Sequence, residues 1–492
     1  MNESAAAAPK RLHPATLIMR WLKIAPQALA GGVGISLSSA GKGYGGLLFF
    51  VALAAGIGAL FAFLTWWRFT YAIGADEIVI EKGLLQRQRR VIPFERVQDV
   101  AIEQKLLARL FGTAKVKIET GGSGADEGSL DMIGLGDAQA LRDHVRGHAR
   151  SAVEEGIPAP APPPEPLLFA MDLPRLLLAG LFNFSLIFLA AIAGALQYLD
   201  QLGLVDWESW VTAERAKEAS GFVSLRAGLG LFGAVLVLGV VAGVVRTVGR
   251  DFGFRLTRTA TGFRRRRGLL TLTEVVIPLR RTQAAVIESG PIARALGWHS
   301  LSFQTLGAER KHGGMQTAAP FARMEELLPI LAEAGFPAPP PRGEFQGIPR
   351  RALVRQAAPW LVLAMLAGIG AALFEPLAAI GAAALGGIGL LALLRWRKHS
   401  YVVGDEALFI SRGLLKRRLW IVPFERAQII DLTRGPVQRP LRLASLIVDT
   451  AGASAVSPAE IFDLDDGVAS ALSAELLARF HTARARRRLQ PA

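Results

Sequence analysis

The side chains best placed to do chemistry are cations clustered beside a recurring Gly-Leu-Leu. Arg87, Arg89 and Arg90 follow Gly83-Leu84-Leu85, and Lys416, Arg417 and Arg418 follow Gly413-Leu414-Leu415. Arg264, Arg265, Arg266 and Arg267 stand just before Gly268-Leu269-Leu270. Cations on a strand-turn-strand attract anionic headgroups, each contributing about 1 kcal/mol near a membrane surface. The same charges also suit an edge strand guarded against sheet-to-sheet pairing, so both readings stand. Arg96, Arg281 and Arg426 recur at one position and suit either a phosphate contact or a scaffold ion pair.

Other patterns carry less. His144 and His148 have the spacing of zinc ligands on a helix, but no third ligand accompanies them and no metal is expected. Asp463, Asp465 and Asp466 precede a helical stretch and read as charges at its N-terminus. Gly41 to Gly46 and Gly228 to Gly233 match G-x-G-x-x-G without a preceding strand. Close helix packing explains them, and Gly239-x-x-x-Gly243, better than nucleotide binding. The absence of cysteine excludes disulfides and thiolate catalysis. No catalytic constellation emerges, so neither an enzyme nor a cofactor is expected.

The elements that carry the cations are repeated. Gly83 to Gln98 returns as Gly268 to Gln283 and as Gly413 to Gln428. Counted from the glycine, Pro93, Pro278 and Pro423 fall at +10, and the three arginines Arg96, Arg281 and Arg426 at +13. Arg109, Arg294 and Arg439 follow at +26, Thr120, Thr305 and Thr450 at +37, and Gly122, Gly307 and Gly452 at +39. The chain is therefore a threefold internal repeat. The glycine supplies a turn with positive φ and the proline a strand end. Each copy reads as several short strands, such as the alternating Ala114 to Thr120, followed by a closing helix.

The 492 residues are 51% hydrophobic yet 20% charged, a mixture that suggests apolar spans alternating with soluble domains. Spans are expected at Ile24–Gly41, Gly46–Trp67, Leu176–Leu199, Ala227–Val245, Gln356–Phe374 and Pro376–Leu394. Trp66, Trp67 and Arg68 read as a headgroup boundary. The polar, basic N-terminus does not read as a secretory signal. Cations begin every repeat, whereas the loop 200–224 is acidic, so both termini and all three copies are expected on the cytoplasmic side. The net charge of +15 suits an anionic bilayer face.

The expected division is an N-terminal cytoplasmic segment 1–23, a first hairpin 24–67 with its soluble domain 68–155, and a proline-rich linker 156–166. A second hairpin 167–245 and domain 246–335 follow, then a linker 336–349, a third hairpin 350–394, and a last domain with basic tail 395–492.

A helical hairpin followed by Gly-Leu-Leu and Pro-Phe-x-Arg resembles the membrane-flanked bacterial pleckstrin-homology-like (PH-like) domain. Gly83-Leu84-Leu85 with Pro93-Phe94-Glu95-Arg96, and Gly413-Leu414-Leu415 with Pro423-Phe424-Glu425-Arg426, carry the likeness. Three units in one chain are similar to the YdbT-like members. The second copy departs at Leu279-Arg280, and the third has Arg442 where Gly112 and Gly297 stand. The resemblance implies three transmembrane helical hairpins, each followed by a cytoplasmic PH-like β-sandwich or barrel closed by a C-terminal helix. It also implies a multi-pass protein of the bacterial cytoplasmic membrane.

The expected function is presentation of three PH-like modules to anionic inner-leaflet lipid, a protein partner or a second membrane subunit, in envelope organisation or stress response. The alternative is a transporter or lipid-transfer component built from the helices. Nucleic acid is not an expected partner, because no stacking aromatics interleave with Arg264–Arg267 or with the C-terminal arginines.

Overall fold

A computed structural model describes residues 9–17, 19, 44–74, 76–84, 86–120, 128–151, 165–183, 194, 222–306, 314–373, 378–450 and 459–489. The first copy comprises β1 (Lys10–Arg11), α1 (Tyr44–Arg68), β2 (Thr70–Ile73), β3 (Glu77–Lys82), β4 (Gln88–Pro93) and β5 (Val97–Lys105). It continues with α2 (Leu106–Leu110), β6 (Thr113–Thr120), β7 (Gly128–Gly134) and α3 (Leu135–Ser151).

The second copy repeats this plan with β8 (Leu167–Ala170), α4 (Leu173–Phe182), α5 (Phe222–Asp251), β9 (Arg255–Arg258), β10 (Gly262–Arg267) and β11 (Thr271–Pro278). After these come β12 (Thr282–Ser289), α6 (Pro291–Ala295), β13 (Trp298–Thr305), β14 (Met315–Arg323) and α7 (Met324–Glu333). The third copy opens with β15 (Gln346–Gly347), α8 (Arg351–Gln356), α9 (Ala358–Leu373), α10 (Ala378–Arg397), β16 (Ser400–Val403) and β17 (Ala407–Arg412). It closes with β18 (Arg417–Pro423), β19 (Ala427–Thr433), β20 (Leu443–Thr450), β21 (Ala459–Asp465) and α11 (Asp466–Leu489).

The chain divides into two compact units, Met1–Pro166 with Arg264–Val276, and Leu167–Phe263 with Ile277–Ala492. In the first unit, β1-β2-β3-β4 form one antiparallel sheet, and β7-β6-β5 form another that continues into β11. Period-2 alternation decides what each strand buries. Ala114, Val116 and Ile118 enter the core, while Lys115 and Lys117 on the other face reach Asp131 at 2.9 Å and Glu103 at 3.8 Å. Ala138, Leu141 and Val145 give α3 one apolar stripe, which closes that core as expected of an amphipathic helix.

In the second unit, β14-β13-β12-β18-β17-β16-β15 make one continuous sheet, and β19-β20-β21 a smaller one. One strand serves two cores here. Ala285 and Ile287 of β12 bury into the core under α7, whereas Ala284 and Val286 bury into the core under α11. Strand β18 alternates the same way, with Ile421 in the former and Trp420 and Val422 in the latter.

Among the described residues the fold is β-rich, with four sheets, and this corrects the expected membrane architecture. Among the described residues no helix is long and apolar enough to cross a membrane, which overturns the transmembrane hairpins expected there. The physical reason is that an apolar run reads the same whether it meets lipid or a protein core. Helix α4 has only ten residues before Asn183, and its Leu176 and Ala179 pack into the core of the second unit. Helix α9 has sixteen residues, about 24 Å of rise against the ~30 Å of a hydrocarbon core.

Leu167–Ala170, expected within a hairpin, is strand β8. The glycines act as expected for close packing, since a Cβ on Gly180 would lie 2.7 Å from Val244 and one on Gly243 2.6 Å from the Asn183 carbonyl. The expected first span Ile24–Gly41, residues 184–193 and 195–199 of the third, and loop residues 201–221 lie outside the described residues. So do linker residues 156–164, the turn Glu375-Pro376 and the repeat glycines Gly122, Gly307 and Gly452.

Candidate functional site

All three cation clusters are built on one turn. Gly83, Gly268 and Gly413 have φ of 112°, 118° and 102°, a region L-residues avoid. A Cβ there would meet the carbonyl oxygen three residues on, at 1.8 Å (Gln86), 1.9 Å (Thr271) and 2.0 Å (Lys416). Only glycine makes this turn without displacing backbone. Pro93, Pro278 and Pro423 then end β4, β11 and β18 in extended conformation ahead of a 3-10 turn.

The same turn delivers its cations to three different environments. In the first copy Arg87, Arg89 and Arg90 are all exposed, and Arg89 lies 3.6 Å from Glu81 across the hairpin. In the second, Arg264 is held by Glu165 at 2.8 Å and Glu274 at 3.7 Å. Arg142 shares Glu274, at 2.5 Å. Arg265 is buried, Arg266 is exposed, and Arg267 is half-buried with its carbonyl accepting from Thr273 Oγ1. In the third, Arg418 pairs with Glu288 of β12 at 2.5 Å, and Arg417 donates to Ser411 Oγ at 2.8 Å. Burial pushes the Arg417 guanidinium below its usual pKa, with Arg342 and Arg294 adding repulsion. Lys416 stays exposed at the tip.

Among the +13 arginines, Arg426 has main-chain partners besides its ion pair. Arg426 donates to the carbonyls of Thr282 at 3.0 Å and Ala334 at 3.2 Å and lies over the Phe336 ring at 4.4 Å. Glu425 is a looser neighbour at 3.4 Å. Arg426 thus clamps the end of the preceding copy onto its own. Its counterpart Arg96 is exposed. Arg109, at +26, donates to the Leu269 carbonyl of the next copy's turn.

Two features escaped the sequence reading. Asp463 is a fully buried carboxylate with φ of 57°, not a helix-terminal charge. Arg355, Gln356 and Gln438 converge on it at 2.5 to 2.7 Å, tying α8 to β21. Around it, burial lowers the pKa of His399 to about 4 and raises that of Glu460. The second feature is Trp66, whose indole N–H donates to the Leu12 carbonyl, as Trp396 donates to Pro349. Both tryptophans lie seventeen residues before a repeat glycine, a spacing that marks them as parts of the module. Trp67 is stacked under Arg11, 4.3 Å from its ring centre. His144 packs edge-on to Phe94, and the side chain of His148 lies outside the described residues.

A family model described as the bacterial PH domain matches residues 26–149, 179–334 and 360–480. The chain belongs to the bacterial PH domain family. Each bacterial PH match ends within or just past its closing helix and takes in the Gly-Leu-Leu turn. The chain is also similar to the UPF0699 transmembrane protein YdbT of Bacillus subtilis (strain 168), with 22% identity over 490 residues covering 93% of this chain and 96% of that protein. No solved structure matches.

Proposed function

We propose that this is a membrane-associated binding protein, not an enzyme, whose first bacterial PH domain recognises anionic lipid headgroups through Arg87, Arg89 and Arg90. The observation that carries the reading is the contrast among the three clusters, since this one alone has all its named cations exposed. The membrane location is supported by the relative named as a transmembrane protein and by the apolar surface of α1, where Phe49, Leu53, Ile57, Leu60 and Phe61 are exposed just before β2. Lipid touching α1 is adjacent in sequence to the sheet that ends at β4.

The test is retention of an anionic phospholipid by the full chain in neutral detergent, read by native mass spectrometry. Replacing all three arginines by glutamine should weaken retention by about a hundredfold, from roughly 1 kcal/mol per cation. Raising the salt should do the same to the unmodified chain. Unchanged retention would remove the headgroup assignment.

One cavity favours the lipid-transfer alternative as a second reading. An apolar groove of about 380 Å³ is lined by Leu353, Ala357, Leu361, Gly389, Leu390 and Leu393 between α8, α9 and α10. Its chemistry suits an alkyl chain. Gly389→Leu would fill it, because even a Cβ at that position lies 2.8 Å from Leu361. Loss of a bound acyl chain in that variant would support the transfer reading.

A further inference from the structure

The two junctions between copies obey one rule. In the first unit Leu272, at +4 of its copy, faces Gln104, at +21 of the copy before. In the second unit Arg417, again at +4, faces Ser289, again at +21. The fourth strand of one copy is thus added antiparallel to the fifth strand of the preceding copy, twice, in the same register. The rule leaves two edges over. Among the described residues β4 ends its sheet with no preceding copy to pair with, and β19 ends its sheet with no following copy.

These edges keep the features of a junction. At the second junction +8 faces +17 as Ile421 against Ala285, both fully buried. The same positions on the open edges are Val91, which is 46% exposed, and Ile430, which is half-buried against the third copy's core beside exposed Ile429. The register would also set Arg90 against Asp431, opposite charges at directly facing positions, which favour pairing. Arg96 has the place of the clamp Arg426 but is exposed. Cations do not disqualify β4 as an edge that pairs, because β18 carries Arg417 and Arg418 and is paired along its length.

We infer that β4 of one molecule pairs with β19 of a second copy of this chain, extending the internal repeat between molecules. Main-chain hydrogen bonds supply the affinity, and Val91, Arg90 and Arg96 against Ile430, Asp431 and the Ala427 carbonyl supply the register. The contact is heterologous, so association continues beyond a dimer in a concentration-dependent series. It uses backbone edges and takes only Arg90 from the headgroup cluster, so it is measured without anionic lipid.

The chain has no cysteine, which makes a register-specific cross-link clean. Full-length Val91→Cys and Ile430→Cys chains, differently tagged and mixed in neutral detergent without anionic lipid, should form a disulfide between the two tags. Val91→Cys mixed with Thr433→Cys, three residues out of register, should not. In a parallel measurement, Arg90→Asp or Asp431→Arg alone should weaken self-association roughly fivefold, and the two together should restore it. The proposal is overturned if no Val91–Ile430 product forms, if the shifted pair links equally well, or if the charge swap fails to rescue. It is also overturned if Val91→Cys links only to a different polypeptide in cells. A folding defect in one variant leaves the other measurement to decide.

Discussion

The first and third copies start from nearly the same motif and put it to different use. Gly83 and Gly413 make the same turn, and both are followed by three cations and the same Pro-Phe-Glu-Arg step. In the third copy the strand is taken up by β12, Arg418 is neutralised by Glu288, and alternate residues enter two cores. In the first copy the equivalent strand is the edge of its sheet and its cations face solvent. A repeated sequence thus fixes a local conformation, while the neighbour supplied by the chain decides what that conformation is for.

The anchoring of the two copies differs as well, and this gives the largest expected effect. The third copy ties α8 to β21 through buried Asp463, whereas the first joins β1 to α3 through the exposed pair Lys10–Asp137 at 2.8 Å. Asp463→Ala strands Arg355 beside a buried cavity and should cost about 3 kcal/mol in denaturant unfolding. Asp137→Ala should cost less than about 1 kcal/mol. Equal losses would show that the two anchors are equivalent after all.

His399 stands where the first copy has Phe69, and it should make the third copy acid-sensitive. Burial, with repulsion from Arg412 second, lowers its pKa in the fold from 6.5 to about 4. The unfolded chain therefore binds the proton first. The stability contribution is present above pH 6.5 and is lost as pH falls through 4, a swing on the order of 3 kcal/mol. His399→Phe should flatten melting temperature across that window. Tyr71 works in the opposite direction in the first copy, since burial and then Asp137 raise it to about 12. Its contribution is present below pH 10 and fades as pH rises through 12, so Tyr71→Phe should reduce the alkaline loss of stability.

Gly83→Ala and Gly413→Ala should each cost about 2 kcal/mol, because both force a side chain into positive φ against a carbonyl. Here the two copies are expected to agree, and a gap between them would mean the turns are not shared. The smallest effect runs the other way. Arg442 holds φ of 52° where Gly112 and Gly297 hold 62° and 76°, so Arg442→Gly should stabilise the third copy by about 1 kcal/mol.

What the sequence disclosed follows from the same distinction. The turn glycines, the strand-ending prolines and the alternation of Ala114 to Thr120 were legible because each is set by neighbours a few residues away. The resemblance to the bacterial PH domain rested on those short-range signals, and the family comparison agrees with it. The pairing of β12 with β18 was not legible, since period-2 alternation says which face of a strand is apolar but not which strand lies beside it. Helix α4 misled for a related reason, because Leu176 and Ala179 are as apolar facing a core as they would be facing lipid. The strands β1 and β15 are two residues long, too short to leave a pattern.

The central claim is that the first copy's hairpin meets anionic lipid while the third copy's does not. Hydrogen–deuterium exchange of the full chain in nanodiscs, anionic against neutral, tests it at both places in one experiment. Added protection is expected from Gly83 to Pro93 in anionic discs, and none from Gly413 to Pro423. Equal protection at both hairpins, or none at the first, would contradict it.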